Sequence, residues 1–156
     1  MLNNISDFSK CANCGACMNI CPKDAISLDK TGCFYVYTVD QEKCVSCGAC
    51  VKVCPLNSPI RHLNLKNAYG GWHKDPEVVK TSSSGGAFST IANYVLSRGG
   101  VVFGAAYTDG CKEVICRSTE ETSLDNIKRS KYVETTVRYA FREIKKKLEE
   151  GRYVLF

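Results

Sequence analysis

The chain's 156 residues suffice for one or two domains. Its eleven cysteines are an odd number that fits a disulfide framework poorly, residues 1–10 hold no apolar run of the signal-peptide kind, and no window reaches the 18 apolar residues of a membrane span. The formal charge of +5 is modest and counts every thiol as neutral. The expectation is a reducing cytoplasmic setting, in which thiolates stay available for metal.

Nine of the eleven cysteines fall before residue 55, and eight of them form two runs. These are Cys11, Cys14, Cys17, Cys21-Pro22 and Cys44, Cys47, Cys50, Cys54-Pro55. Both follow C-x2-C-x2-C-x3-C-P, the spacing that bacterial ferredoxins use for [4Fe–4S] clusters. Residues 11–26 and 44–60 are an internal repeat offset by 33, which predicts a pseudo-twofold domain. In two-cluster ferredoxins the fourth ligand of each cluster comes from the other copy. Cys11, Cys14, Cys17 and Cys54 are therefore expected to hold one cluster, and Cys44, Cys47, Cys50 and Cys21 the other. Gly15 and Gly48 let the backbone approach the sulfides, and Pro22 and Pro55 turn the chain away. Structural zinc is the competing reading, but zinc sites use two cysteine pairs rather than triplets followed by Cys-Pro. Eight thiolates and two oxidised cluster cores would bring the formal +5 to about +1, which removes the electrostatic footing for nucleic acid. Cys33, Cys111 and Cys116 match no ligand spacing and read as idle or buried thiols.

Residues 25–28 and 34–39 are predicted strands, joined by the turn Asp29-Lys30-Thr31-Gly32. A linker follows, opened by Ser58-Pro59, and residues 68–73 are a predicted strand. Ala87, Phe88, Ile91, Ala92, Val95 and Leu96 recur at helical spacing. Ser83 or Ser84 would cap that helix and Gly99-Gly100 would end it. Residues 101–107 predict an apolar strand, with a hairpin through Thr108-Asp109-Gly110 to a second strand at 114–117. A short helix is expected over 122–129. Val137, Phe141, Ile144 and Leu148 mark another, ended at Gly151, before a strand begins at Arg152. The basic residues Arg142, Lys145, Lys146 and Lys147 read as a solvated helix face, and Trp72 and His73 have no evident partner. A buried strand as the last element suggests a chain cut inside its second domain. The expected fold class is α+β, with a ferredoxin-like two-cluster domain (1–60), a linker (61–67) and the first part of an α/β domain (68–156).

The segment Thr81-Ser82-Ser83-Ser84-Gly85-Gly86 before the central helix could serve as an anion site, though a serine cap needs no ligand. The string SSSGGAFSTIANYVLSRGGVVFGAAY, followed by SKYVET, a basic helix and GRYVLF, resembles the coenzyme F-420 hydrogenase/dehydrogenase beta-subunit family across residues 11–156. That resemblance implies an FAD-binding oxidoreductase. It places Ser84, Gly85 and Gly86 near FAD, and Ser130, Lys131 and Tyr132 near the flavin. It also implies a redox partner, either a ferredoxin, a hydrogenase or dehydrogenase subunit, or a small-molecule acceptor. The family's Gly-Thr-Pro-Cys-like segment, expected after the strand at Arg152, is absent. Electron carriage without flavin, through a protein-docking module, is the alternative function, and an iron–sulfur scaffold without redox turnover is a third.

Overall fold

The computed structural model describes residues 10–31, 34–57, 64–121 and 123–156. Cys33, Ser58-Pro59 and the first part of the expected linker lie outside them. Two compact units divide the chain: Met1–Leu63 with Thr136–Arg142, and Asn64–Thr135 with Glu143–Phe156.

In the first unit the internal repeat is also a structural repeat. Helices α1 (Ala16–Ile20) and α2 (Ala49–Val53) begin at Gly15 and Gly48, both left-handed at φ near +75°. A residue with a Cβ resists that conformation, so glycine is what lets each loop turn into its helix. Asn13 and Ser46 match in the same way, at φ +50° and +53°. The helices end at Cys21 and Cys54 in extended conformation, where Pro22 and Pro55 follow. Between the copies, β1 (Ile26–Thr31) and β2 (Phe34–Val39) pair antiparallel from Ile26↔Val39 to Thr31↔Phe34. Among the described residues the apolar cluster is small: Met18, Ile26 and Tyr37, with Cys17, Cys21, Leu28, Val39 and Cys50 packed against it, and Ala25 and Cys54 are also buried.

The second unit begins with residues 64–73 in irregular backbone, where a strand over 68–73 was expected. Gly70-Gly71 and the exposed Tyr69 and Trp72 give that segment no apolar face to bury, and the sheet ladder lies elsewhere. Helix α3 (Pro76–Lys80), unforeseen in the sequence, has a proline in its first turn and is capped by Asp75, whose carboxylate accepts from the Glu77 amide at 2.9 Å. Helix α4 (Ala87–Leu96) forms where expected and buries Ala92 and Val95 with Phe88 and Leu96 packed partly buried, but Ser89 joins the buried face while Ala87 and Ile91 are exposed. Left-handed Gly99 ends it, and the Gly100 amide returns to the Val95 carbonyl at 3.0 Å.

Strands β3 (Val101–Tyr107) and β4 (Val114–Thr119) form the expected hairpin, with a 3-10 turn at Asp109–Cys111. Two-residue strand β5 (Thr135–Thr136) and helix α5 (Ala140–Glu149) precede β6 (Val154–Leu155), which pairs parallel to β3. The sheet order is β5-β4-β3-β6. The helix expected over 122–129 is not formed among the described residues; 124–129 make turns instead. Leu124 and Ile127 are buried all the same, in a core with Ala92, Val95, Val102 and Ala106. Gly104 allows this, since a Cβ there would lie 2.9 Å from the Ile127 Cβ. No described helix is long and apolar enough to cross a membrane.

Candidate functional site

The cysteine loops have the form that the repeat predicts. Cys21, Cys44, Cys47 and Cys50 line one hollow, walled by Pro22, Ala25, Ile26 and Val39. The last cysteine of the first run thus stands with the first three of the second. Cys11, Cys14 and Cys17 lie close enough for their charges to interact. The Cys21 sulfur accepts the Ala25 amide at 3.3 Å, a donor of the kind that orients a thiolate and tunes a cluster. Cys54 is buried.

Burial, and after it the neighbouring thiols, pushes Cys17 up to about 11. Burial also raises Cys50. As free thiols both stay protonated at neutral pH, so metal must displace those protons. Four soft sulfur donors around an apolar hollow, with backbone amides aimed at sulfur, fit a [4Fe–4S] cluster.

A second site lies in the second unit. A cleft of about 460 Å³ is lined by Ser82 to Ser89, Gly71, Gly104, Ala105 and residues 127–131. It brings Ser84, Gly85 and Gly86 together with Ser130 and Lys131. Tyr132 does not line it and is 92% exposed. The expected serine cap is replaced: Gly86, left-handed at φ +84°, is the N-cap of α4 with no side-chain hydrogen bond. The first turn of α4 therefore meets the cleft uncapped, with the positive end of its dipole there.

The opposite wall is tied down by its own hydrogen bonds. The Ser130 amide donates to Ser83 Oγ at 2.7 Å, and Arg129 Nε donates to the Thr81 carbonyl at 2.8 Å. Lys131 Nζ donates to the carbonyls of Lys128, Arg129 and Asn126, the first at 2.7 Å. Burial, then Arg129, lowers its pKa. Lys131 thus folds its own loop and Lys128 pairs with Asp125 at 2.6 Å, while Arg129, which the sequence reading passed over, adds positive charge to the wall.

The glycines here have an internal reason as well. A Cβ on Gly85 would lie 2.7 Å from the Gly71 carbonyl oxygen, and one on Gly86 would lie 3.1 Å from the His73 Cβ. The His73 amide donates to the Gly85 carbonyl at 2.7 Å, and His73 Nδ1 accepts the Asp75 amide at 3.0 Å. His73 therefore has partners after all, whereas Trp72 is exposed. Cys111 is exposed, and burial, then Glu143, pushes Cys116 up to about 11.

The basic helix face needs correction at two positions. Lys145 and Lys146 are solvated. Arg142 instead grips α1 through backbone carbonyls, and Lys147, mostly buried, pairs with Glu120 at 3.1 Å.

Two models of a 4Fe-4S dicluster domain match the chain, over residues 10–58 and 36–87. The first alone spans both cysteine runs. Residues 68–139 match the N-terminal region of the coenzyme F420 hydrogenase/dehydrogenase beta subunit. No curated protein matches the chain. The chain therefore joins a 4Fe-4S dicluster domain to a region similar to the N-terminal part of the coenzyme F420 hydrogenase/dehydrogenase beta subunit, which makes it an iron–sulfur redox protein.

Proposed function

We propose that this protein is an iron–sulfur flavoprotein oxidoreductase that passes electrons between two [4Fe–4S] clusters and FAD, coupled to a deazaflavin, a ferredoxin or another redox partner. Cys11, Cys14, Cys17 and Cys54 hold one cluster, and Cys44, Cys47, Cys50 and Cys21 the other. When bound, the clusters carry single electrons and the flavin exchanges one electron for two. The observation that carries the flavin reading is the cleft. The uncapped start of α4 faces a wall bearing Arg129 and Lys131, with Lys128 held by Asp125 at 2.6 Å, and amide donors beside a fixed cation suit a pyrophosphate. Its volume is in the range of cofactor pockets. Ser83 and Thr81 hold the 129–130 turn against the glycine turn, so the wall is set before any ligand arrives.

Electron carriage without flavin is the alternative. It is favoured by the packing of Gly85 and Gly86 against residues 71–73, which explains both glycines without a ligand. One titration separates the two readings. Anaerobically reconstituted protein is mixed with FAD and gel-filtered. Retained flavin absorbance, weakened about tenfold in affinity by Arg129→Glu, supports the flavoprotein. Protein that emerges iron-loaded and colourless in the flavin bands is an electron carrier only.

A further inference from the structure

The two halves of the cluster domain are near-copies in sequence and backbone, yet their charge environments differ. In the second copy the carbonyl of Val51 is capped by the neutral side chain of Asn57, whose Nδ2 donates at 3.0 Å. The equivalent carbonyl in the first copy, 33 residues earlier, belongs to Met18. It accepts from a guanidinium: Arg142 Nη2 lies 3.0 Å from the Met18 oxygen and 2.9 Å from that of Cys21. Arg142 Nε donates to the Asn19 carbonyl at 2.8 Å. Asn19 answers from its side chain, accepting the Arg142 amide at 3.3 Å and donating to the Arg138 carbonyl at 2.6 Å. Asp24 stands where the second copy has Asn57, and its carboxylate pairs with Arg142 Nη2 at 2.6 Å.

We propose that Arg142 is a positioning residue that makes the two clusters unequal. It fixes the peptide of ligand Cys21 and places a positive charge beside it, while Asp24 partly offsets that charge. The proposal rests on the reading that Cys21 serves the cluster of Cys44, Cys47 and Cys50. A positive charge held near a cluster favours its reduced, more negative state, and in partly buried surroundings water screens that effect less. The Cys21 cluster therefore has the higher reduction potential of the two, because the second copy has only the neutral Asn57 at the equivalent carbonyl. In the loaded protein the cluster that Cys21 serves would be the favoured seat of a single electron.

The test is a redox titration of the reconstituted protein followed by electron paramagnetic resonance, with Cys21→Ser used to identify the signal of the cluster that Cys21 serves. Arg142→Gln should lower that cluster's reduction equilibrium about tenfold, ~59 mV for a one-electron couple, and move the other cluster distinctly less. Asp24→Asn should raise it by a smaller factor of about three. It is also the safer variant, since asparagine suits the left-handed backbone there, φ +48°. Arg142→Lys should keep the potential near that of the unaltered protein even where it loosens the fold. Unmoved potentials in both Arg142→Gln and Asp24→Asn, or equal shifts in both clusters, would overturn the assignment. Protein with no bound iron and sulfide fails at the cluster reading instead, and the inference falls with it. Loss of the Cys11 cluster signal in Cys21→Ser shows that the ligand crossing is wrong.

Discussion

The two units meet the need for buried surface in different ways. The second has an apolar core in the ordinary sense, in which Ala92, Val102 and Ala106 are almost wholly buried and Leu124 and Ile127 close one side. Among the described residues the first has a packed apolar cluster of only three buried side chains, Met18, Ile26 and Tyr37, and three of the five side chains packed on them are cysteines. An apolar cluster of that size does not offset the entropy of ordering some sixty residues, whereas metal–thiolate bonds can. The difference teaches that one sequence can specify one unit through packing and another through ligation. Each should then fail under a different stress.

Iron removal should separate them most sharply. Stripping the clusters with a chelator under oxidising conditions is expected to expose the β1–β2 amides to hydrogen exchange within minutes. The β3–β4 ladder should stay protected. If both ladders opened together, the packing-against-ligation distinction would be lost. Truncation of the apolar core should act the other way. Val102→Ala removes two methyl groups from a fully buried site and should cost the second unit about 2–4 kcal/mol. Denaturant unfolding reads this, and the iron content should be unchanged.

How far the sequence disclosed all this varied with the range of the interactions involved. The cysteine loops were legible because ligand spacing is local and their geometry repeats. Helix α4 and the β3–β4 hairpin were legible for the same reason: their apolar periods are uninterrupted and their ends carry glycine. Several expectations failed where tertiary contact decides. Residues 68–73 have strand-like side chains but meet the turn at Gly85, not a ladder. Residues 122–129 have a helical pattern, yet Ile127 is held as a turn over Gly104. Gly86 took the capping position from the serines because its left-handed backbone seats the turn against His73. Least legible was Arg142, whose carbonyl partners lie more than 120 residues earlier in the chain. Its basic neighbours disguised it as one more solvated charge.

A smaller effect would sharpen the contrast from the second unit's side. Glu120, just past the end of β4, accepts from Arg152 at 2.7 Å and from Lys147 at 3.1 Å. These bonds, Arg152's first, hold its carboxyl down to about 2, and they raise the pKa of both cationic partners. A depressed carboxylate stabilises the fold above its ordinary pKa, and the contribution fades as pH falls from about 4.5 toward 2. Glu120 is solvent-exposed, so the effect is screened and should be slight, as for most surface ion pairs. Arg152 also donates to the carbonyls of Gly99 and Gly100, where the end of α4 meets the start of β3. Glu120→Gln should therefore lower the melting temperature of the second unit by a degree or two at pH 7 in low salt, with the gap narrowing below about pH 4.5, closing as the pH reaches about 2, and closing also in 1 M salt. A gap that persisted undiminished down to pH 2 would mean that Glu120 acts by packing and not by charge. The second unit would then owe still less to electrostatics than its core already implies, leaving charge a decisive role only in the cluster-bearing unit.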